Sequence, residues 1–285
     1  MITVTGATGK LGRLAVEALL ERGVPAERIV AAVRTPDKAA DLAERGVQVR
    51  RADYDAPDTL ASALAGTRRL LFISGSEVGR RVPQHRNVVE AAVAAGVELI
   101  AYTGILNCDT TRMTLAEEHR ATEAVIRESG LPYAFLRNGW YFENYTENLA
   151  PALESGALVG AAGDGRIAAA ARADYAAAAA AVLTEDGHAG KIYELGGDAS
   201  FTMAELAAEL SRQTGREIVY RNLSEEEYAK ALVSAGLPEP YAKALADSDT
   251  GVARGDLTTD SGHLRALIGR PTTSLADAVA AALKD

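Results

Sequence analysis

A doubly wound α/β fold is the class this 285-residue sequence predicts: a parallel sheet with helices on both faces, and a smaller, mainly helical C-terminal lobe. Three observations predict it. Short apolar runs of strand length alternate with stretches of helical periodicity through the first half of the chain. The first apolar run ends in a glycine turn that opens a helix. Beyond about residue 140 the alternation weakens and short helices with capping signatures follow.

Ile2-Thr3-Val4-Thr5 reads as a short buried strand. Gly6-Ala7-Thr8-Gly9-Lys10-Leu11-Gly12 follows it and enters a helix carrying Leu11, Leu14, Ala15, Ala18 and Leu19 at helical spacing. Gly6 allows the sharp turn, and Gly9 lets backbone approach a ligand. Gly12 lets the helix pack against the strand. The free N–H groups and positive dipole end of the helix then favour a phosphate. The spacing is Gly-x-x-Gly-x-x-Gly, not the Gly-x-Gly-x-x-Gly of the usual dinucleotide fingerprint. A tight turn that is glycine-rich for geometry alone is the competing reading.

Ile29-Val30-Ala31-Ala32-Val33 is a second strand, with Arg34-Thr35-Pro36-Asp37 turning into the next helix. Val47-Gln48-Val49 is a third, ending in Ala52-Asp53-Tyr54. A helix around Leu60 and Leu64 precedes a fourth strand, Leu70-Leu71-Phe72-Ile73. Residues 88–95 are helical, and Leu99-Ile100-Ala101-Tyr102 is a fifth strand. A helix over 115–129 ends at Gly130, and Tyr133-Ala134-Phe135-Leu136 is a sixth strand. Such alternation predicts a Rossmann-type sheet with ligands at the carboxyl ends of its strands. Later, 174–183 is an alanine-rich, buried helix and Ile192-Tyr193-Glu194-Leu195 a seventh strand. Thr202 with Glu205 and Ser224 with Glu227 fit capping boxes, and Ser274 with Asp277 resembles one. The chain divides into residues 1–150, an NADP-binding Rossmann domain, and residues 151–285, a smaller substrate lobe partly interwoven with it.

Composition narrows the function. Hydrophobic residues are 48%, enough for a sizeable core, and the net charge of −9 argues against a nucleic-acid partner. No apolar run reaches membrane-spanning length and no secretory signal precedes the first strand, so a cytoplasmic setting without a membrane partner is expected. The glycosylation patterns at Asn144-Tyr145-Thr146 and Asn222-Leu223-Ser224 are discounted on the same ground. The single cysteine, Cys108, excludes an internal disulfide and reads as an inert small apolar residue sooner than a nucleophile.

A dinucleotide fold usually ends its second strand with an acidic residue that holds the ribose 2′-hydroxyl. Here Arg34 stands there, and an arginine forks onto a 2′-phosphate that a carboxylate would repel. The cofactor expected is therefore NADP, NADPH being preferred to NADH, against the bland reading of Arg34 as a solvated surface residue. By strand-end position, Asp53 and Tyr54 reach towards adenine, and Ser74, Gly75 and Ser76 towards the nicotinamide half. No tyrosine stands four residues before any of Lys10, Lys38, Lys191, Lys230, Lys243 or Lys284, so the usual carbonyl-reducing Tyr/Lys pair is absent. A ketone would leave an alkoxide needing a nearby acid. A quinone leaves a phenolate, whose conjugate acid has a pKa of about 10, so water can complete the protonation. No metal is expected, because His85, His119, His188 and His263 lack ligand spacing.

Aromatic residues are 5% of the chain, yet Trp140, Tyr141, Phe142 and Tyr145 fall within six positions after the sixth strand. They suit a flat-walled pocket for a planar acceptor, or else pack the second lobe onto the first. Asn138, Gly139 and Asn144 suit contacts to a nicotinamide. Pocket candidates are Tyr102, His119, Tyr141, Phe142, Asn144 and Tyr145, none with an assigned catalytic role. His119 on a helix is more simply an exposed polar residue.

On the motifs Val4-Thr5-Gly6-Ala7-Thr8-Gly9-Lys10-Leu11-Gly12, Val33-Arg34, Ala52-Asp53-Tyr54, Ser76-Glu77-Val78-Gly79, Pro83-Gln84-His85-Arg86-Asn87, Leu136-Arg137-Asn138-Gly139-Trp140-Tyr141, Gly160-Ala161-Ala162-Gly163-Asp164-Gly165 and Arg172-Ala173-Asp174-Tyr175, the chain resembles the NmrA-like group of atypical short-chain dehydrogenases. Within it the likeness is to type 2 NAD(P)H:quinone oxidoreductases, near triphenylmethane dye reductases. The resemblance implies a flavin-free enzyme reducing a small, planar, quinone-like substrate with NADPH, as a monomer or homodimer. It implies that Gly6, Thr8, Gly9, Lys10, Leu11 and Gly12 hold pyrophosphate and Arg34 the 2′-phosphate. It also implies that Asn138, Gly139, Trp140, Tyr141, Phe142 and Glu143 line the nicotinamide site. Gly104 departs from the serine more common in the family, which puts a hydroxyl contact near the pocket in doubt. The group also contains NADP(H)-sensing regulators without turnover, the alternative from another class.

Overall fold

The structure, a computed structural model, describes residues 1–77 and 79–284; Val78 of the Ser76-Glu77-Val78-Gly79 motif lies outside the described residues. The strands are β1 (Ile2–Thr5), β2 (Ile29–Val33), β3 (Gln48–Arg51), β4 (Arg69–Phe72), β5 (Leu99–Ile105), β6 (Tyr133–Asn138), β7 (Ala157–Gly160), β8 (Lys191–Leu195) and β9 (Val219–Asn222). The α-helices are α1 (Lys10–Glu21), α2 (Ala40–Glu44), α3 (Pro57–Leu64), α4 (Arg81–Ala94), α5 (Leu115–Glu128), α6 (Glu143–Thr146), α7 (Ala150–Ser155), α8 (Arg172–Thr184), α9 (Met203–Thr214), α10 (Glu225–Ser234), α11 (Glu239–Ala253), α12 (His263–Ile268) and α13 (Leu275–Ala282).

Seven strands form one parallel sheet in the order β3-β2-β1-β4-β5-β6-β8. The chain winds outward from β1 to β3, then returns to the other side of β1 with β4. The winding direction therefore reverses between β1 and β4, where an α/β sheet opens a crevice. Side chains alternate between two buried faces. Leu71, Ala101, Ala134 and Leu136 pack with α1 and α8, whereas Leu70, Phe72, Ile100 and Phe135 pack with α3, α4 and α5. Burial on both faces explains why these strands read as unbroken apolar runs.

The C-terminal lobe packs around a second core that residues before position 150 also enter: Ile105, Met113 and Phe142 join Phe201, Leu206, Leu210 and Val252. The chain returns from this lobe to the large sheet: α8 packs on α1, and β8 pairs with β6. The boxes at Thr202/Glu205 and Ser224/Glu227 form, and Ser274 accepts the Asp277 N–H. The sequence reading omitted β7 and β9, which pair in parallel as a separate ribbon. Both are only four residues long; β9 is polar and largely solvent-facing, and β7 carries just three apolar residues, Ala157-Leu158-Val159, before Gly160. It also started α4 seven residues late. The first turns of α4 bury Arg81, Gln84 and His85, so apolar periodicity is silent there.

These polar residues hold the loop between β4 and α4. The Gly75 N–H donates to His85 Nε2 at 2.9 Å, and Arg81 Nε donates to the Gly75 carbonyl at 2.6 Å. Because Nε2 accepts, the imidazole proton is on Nδ1, which faces Thr122 Oγ1 at 2.8 Å. Burial, with help from the Arg81 guanidinium, lowers the His85 pKa from 6.5 to about 3. Burial likewise holds His119 well below its ordinary value.

Two predictions follow from this architecture. A folded-state pKa below the unfolded one gives stability that is present above pH 6.5 and drains away as pH falls towards about 3. Thermal melts across that window should show a midpoint falling with acid. His85→Gln, which keeps an acceptor for Gly75 but cannot charge, should flatten the fall; an unchanged profile would remove His85 as a cause. At Gly12 an added Cβ would lie 2.3 Å from the Gly6 carbonyl oxygen and 2.8 Å from Ala7 Cα. Gly12→Ala should cost about 1–3 kcal/mol of unfolding free energy by overpacking, read from denaturant midpoints.

A candidate dinucleotide cleft between the first and fourth strands

The crevice between β1 and β4 is a cleft of about 370 Å³. Gly6, Thr8, Gly9, Lys10, Leu11 and Gly12 form its floor, with Arg34, Asp53 and Tyr54 on one side and Ser74 and Ser76 on the other. Ala52, Ile73, Glu77 and Gln84 complete it. The glycine turn has the geometry a phosphate needs. Gly6 is left-handed at φ +60°, and the Gly9 N–H closes onto the Gly6 carbonyl at 2.8 Å. Gly9 is the N-cap of α1, with no side-chain cap and no acidic residue in the first turn. The helix N–H groups and dipole are therefore free for an anion.

The walls are braced from behind. The Tyr54 hydroxyl donates to the Ile73 carbonyl at 2.7 Å and lies 2.6 Å from Thr5 Oγ1. Thr5 Oγ1 accepts the Ile73 N–H, and Thr103 Oγ1 accepts the Ser74 N–H, each at 3.0 Å. Tyr54 thus offers the cleft its ring, and its hydroxyl is spent on the sheet. Arg34 is 71% exposed, its Nη1 lying 3.3 Å from Glu77 Oε1. Lys10 pairs with Glu147, which also takes Arg172, tying the glycine turn to the segment after α6. A larger hollow of about 660 Å³ lies between α6, α7 and α13, and Glu147 stands on its rim. It has no glycine turn.

Several anticipated residues stand elsewhere. Gly75 turns its amide to His85 and is not a wall of the cleft. Tyr102 and His119 are core residues, joined by a 2.7 Å hydrogen bond from Tyr102 O–H to His119 Nδ1 or the reverse; neither lines the cleft, and the expectation of an exposed His119 is corrected to 6% exposure. A Cβ at Gly104 would meet Glu123 and Arg137, so a hydroxyl there would face the protein interior.

The aromatic segment is divided between two tasks. Phe142 is buried and stacks on Phe201 at 5.6 Å, and the Tyr145 ring meets Phe201 edge-on at 6.1 Å. Both pack in the second core, although the Tyr145 hydroxyl is buried with no partner among the described residues. Gly139 is required by crowding, since a Cβ would lie 3.0 Å from the Leu195 carbonyl and the Tyr175 hydroxyl. Both Glu143 oxygens accept the Arg172 N–H, at 2.9 and 3.1 Å, so Glu143 holds the N-terminus of α8. Asn144 Oδ1 accepts from Arg172 as well. Trp140 and Tyr141 are half-buried, with the Arg172 guanidinium 5.1 Å from the Tyr141 ring centre. Asn138 donates through Nδ2 to the Tyr141 hydroxyl at 3.2 Å, while its buried Oδ1 has no partner among the described residues. An orphaned acceptor at the end of β6 fits a carboxamide donor.

Sequence reasoning missed Ala52, Ile73, Glu77 and Gln84 as cleft residues, although Ala52, Glu77 and Gln84 lie in motifs it had singled out. It also missed the buried Arg137, held by Glu123 at 2.7 Å, Asp109 at 2.7 Å and Glu194 at 2.9 Å. These partners are far apart in sequence, and no local spacing signals them.

Residues 6–186 match the NAD(P)H-binding family. The chain is 56% identical to Quinone oxidoreductase 2 of Escherichia coli (strain K12), over 98% of this chain and 97% of that protein. The crystal structure of the Escherichia coli NADPH-dependent quinone oxidoreductase complexed with NADPH superposes with a TM-score of 0.97 at 55% identity, covering 100% of both chains. Citrobacter sp. triphenylmethane reductase complexed with NADP(H) superposes with a TM-score of 0.95 at 44% identity, over 99% of this chain and 100% of that one. With more than half the chain matched and these full-length likenesses, the protein belongs to the NAD(P)H-binding, NmrA-like family.

Proposed function

We propose that this protein is an NADPH-dependent quinone oxidoreductase in which hydride passes directly from nicotinamide to a small planar quinone, without flavin or metal. The observation that carries the reading is the Arg34-walled glycine cleft, in a chain that matches an enzyme of that activity end to end. Cytoplasmic location and a monomeric or homodimeric state belong to the same reading.

In it the N–H groups at the start of α1 bind the pyrophosphate, and the Arg34 guanidinium takes the 2′-phosphate. The orphaned Oδ1 of Asn138 accepts from the nicotinamide carboxamide, and the Tyr141 ring, backed by Arg172 and Tyr175, walls the adjoining space. NADPH, when bound, supplies the hydride. The protein's task is then to hold donor and acceptor in register and to keep bulk water from the reacting faces. No side chain is required as proton donor, because the product phenolate is protonated by water at a pKa of about 10.

Purified protein should oxidise NADPH with benzoquinones and naphthoquinones while carrying no stoichiometric flavin. Absence of turnover across such a panel would end the reading. The 44% identity to the Citrobacter enzyme supports a second one, dye reduction. Decolourisation of triphenylmethane dyes at far higher kcat/KM than quinone reduction would favour it.

Arg34→Ala tests the cofactor assignment. A charge-assisted hydrogen bond is worth about 1.5–3 kcal/mol, so the NADPH-over-NADH preference should fall about tenfold to a hundredfold. Arg34→Asp should reverse it further, with kcat at saturating cofactor nearly constant. KM and kcat for both nucleotides at fixed ionic strength are the measurement, and equal losses for both would dissociate Arg34 from the 2′-phosphate.

A further inference from the structure

The carboxylate that dinucleotide folds usually carry after the second strand is missing from the sequence, where Arg34 stands. The tertiary structure supplies one from another strand end. Glu77, between β4 and α4, lines the cleft, and its Oε1 lies 3.3 Å from Arg34 Nη1. An exposed ion pair of that length fixes little by itself. Glu77 is fixed from its other side. Its Oε2 accepts from Gln84 Nε2 at 3.2 Å and pairs with Arg80 Nη1 at 3.3 Å. Gln84 is only 4% exposed and also donates to Asp55 at 3.0 Å, as does Arg80 Nη2. Gln84 and Arg80, themselves held by Asp55, thus hold the Glu77 carboxylate in the cleft independently of Arg34. One cation and one anion face the same spot from opposite walls.

We infer that Glu77 is a specificity-determining residue: Arg34 takes a 2′-phosphate, Glu77 accepts from a free 2′-hydroxyl, and the two together set how far the cleft distinguishes NADPH from NADH. The inference rests on the proposal that this cleft holds the dinucleotide. Its chemistry is direct. A phosphate monoester carries close to two negative charges at neutral pH, which a carboxylate beside it opposes. A ribose hydroxyl is a donor, and an ionised acceptor holds it better than a neutral one. Glu77 therefore lowers the NADPH preference that Arg34 creates and leaves NADH usable.

The test is Glu77→Gln, which keeps an acceptor for Gln84 and removes the charge. The NADPH/NADH ratio of kcat/KM should rise about tenfold or more, through KM, with kcat for NADPH within about twofold of wild type. Titration of NADP⁺ and NAD⁺ without quinone should show the same shift. An unchanged or falling ratio would overturn the inference. Arg80→Ala removes a brace that does not line the cleft, and the buried Gln84 still holds the Glu77 carboxylate; its ratio should stay close to wild type. A rise matching that of Glu77→Gln would assign the effect to loop shape and also overturn it. Failure of the wild type to bind NADP⁺ saturably would defeat the dinucleotide proposal itself. Saturable binding with an unmoved ratio in Glu77→Gln would defeat only the role of Glu77.

Discussion

The cleft depends on a close approach between a helix and the turn that starts it. Position 12, in the first turn of α1, lies so near the Gly6 carbonyl that a Cβ would come within 2.3 Å. Only a residue without a side chain lets α1 begin there, directly over the end of β1. That contact aims the first N–H groups of α1 into the space between β1 and β4. It also sets where α1 meets α8 on their shared face of the sheet. Binding geometry and core packing thus depend on the same missing side chain.

The two lobes are joined by buried charge as well as by apolar packing. Arg137, at the end of β6, is 3% exposed and gathers Glu123 from α5, Glu194 from β8 and Asp109 from the loop after β5. Losing Arg137 would strip the buried Glu123 carboxylate of its closest cation, and breaking a buried pair from one side is the costly way to break it. Glu194 also accepts the N–H of Asn107, a residue in the left-handed region at φ 54°. Asn107 in turn donates to the carbonyls of Asp256 and Thr258. The end of the sheet, the loop after β5 and the segment after α11 are therefore one polar unit. Glu143 adds a second joint by holding the start of α8 from the start of α6.

The wall between β4 and α4 is positioned by groups that never touch the cleft. His85 must stay neutral to accept the Gly75 N–H, and burial keeps it so. Thr103 and Thr5 accept the next amides back along the chain. A wall held through its backbone leaves the Ser74 and Ser76 side chains facing the cleft, beside the Glu77 carboxylate that Gln84 and Arg80 hold there. The polar residues Arg81 and His85 in the first turns of α4 thus act on the cleft through the loop backbone that they hold.

What the sequence determined by itself is what depends on near neighbours. Strands buried on both faces showed as apolar runs, α1 and α5 showed in the 3.6-residue period, and the caps at Thr202 and Ser224 lay within one turn of their partners. The glycine turn and Arg34 sit at the ends of their own strands, so strand order alone brought them to one cleft. The tertiary structure decided everything set by distant partners. It moved Tyr102 and His119 into the core, gave Phe142 and Tyr145 to the second lobe, and set Glu77 opposite Arg34 across 43 positions of sequence. The physical reason is that residue type fixes what a side chain can do, while the order in which strands pair fixes what it meets. Because β4 pairs with β1 on the side away from β2, the loop after β4 closes over the residue after β2, and no local spacing in the chain encodes that meeting.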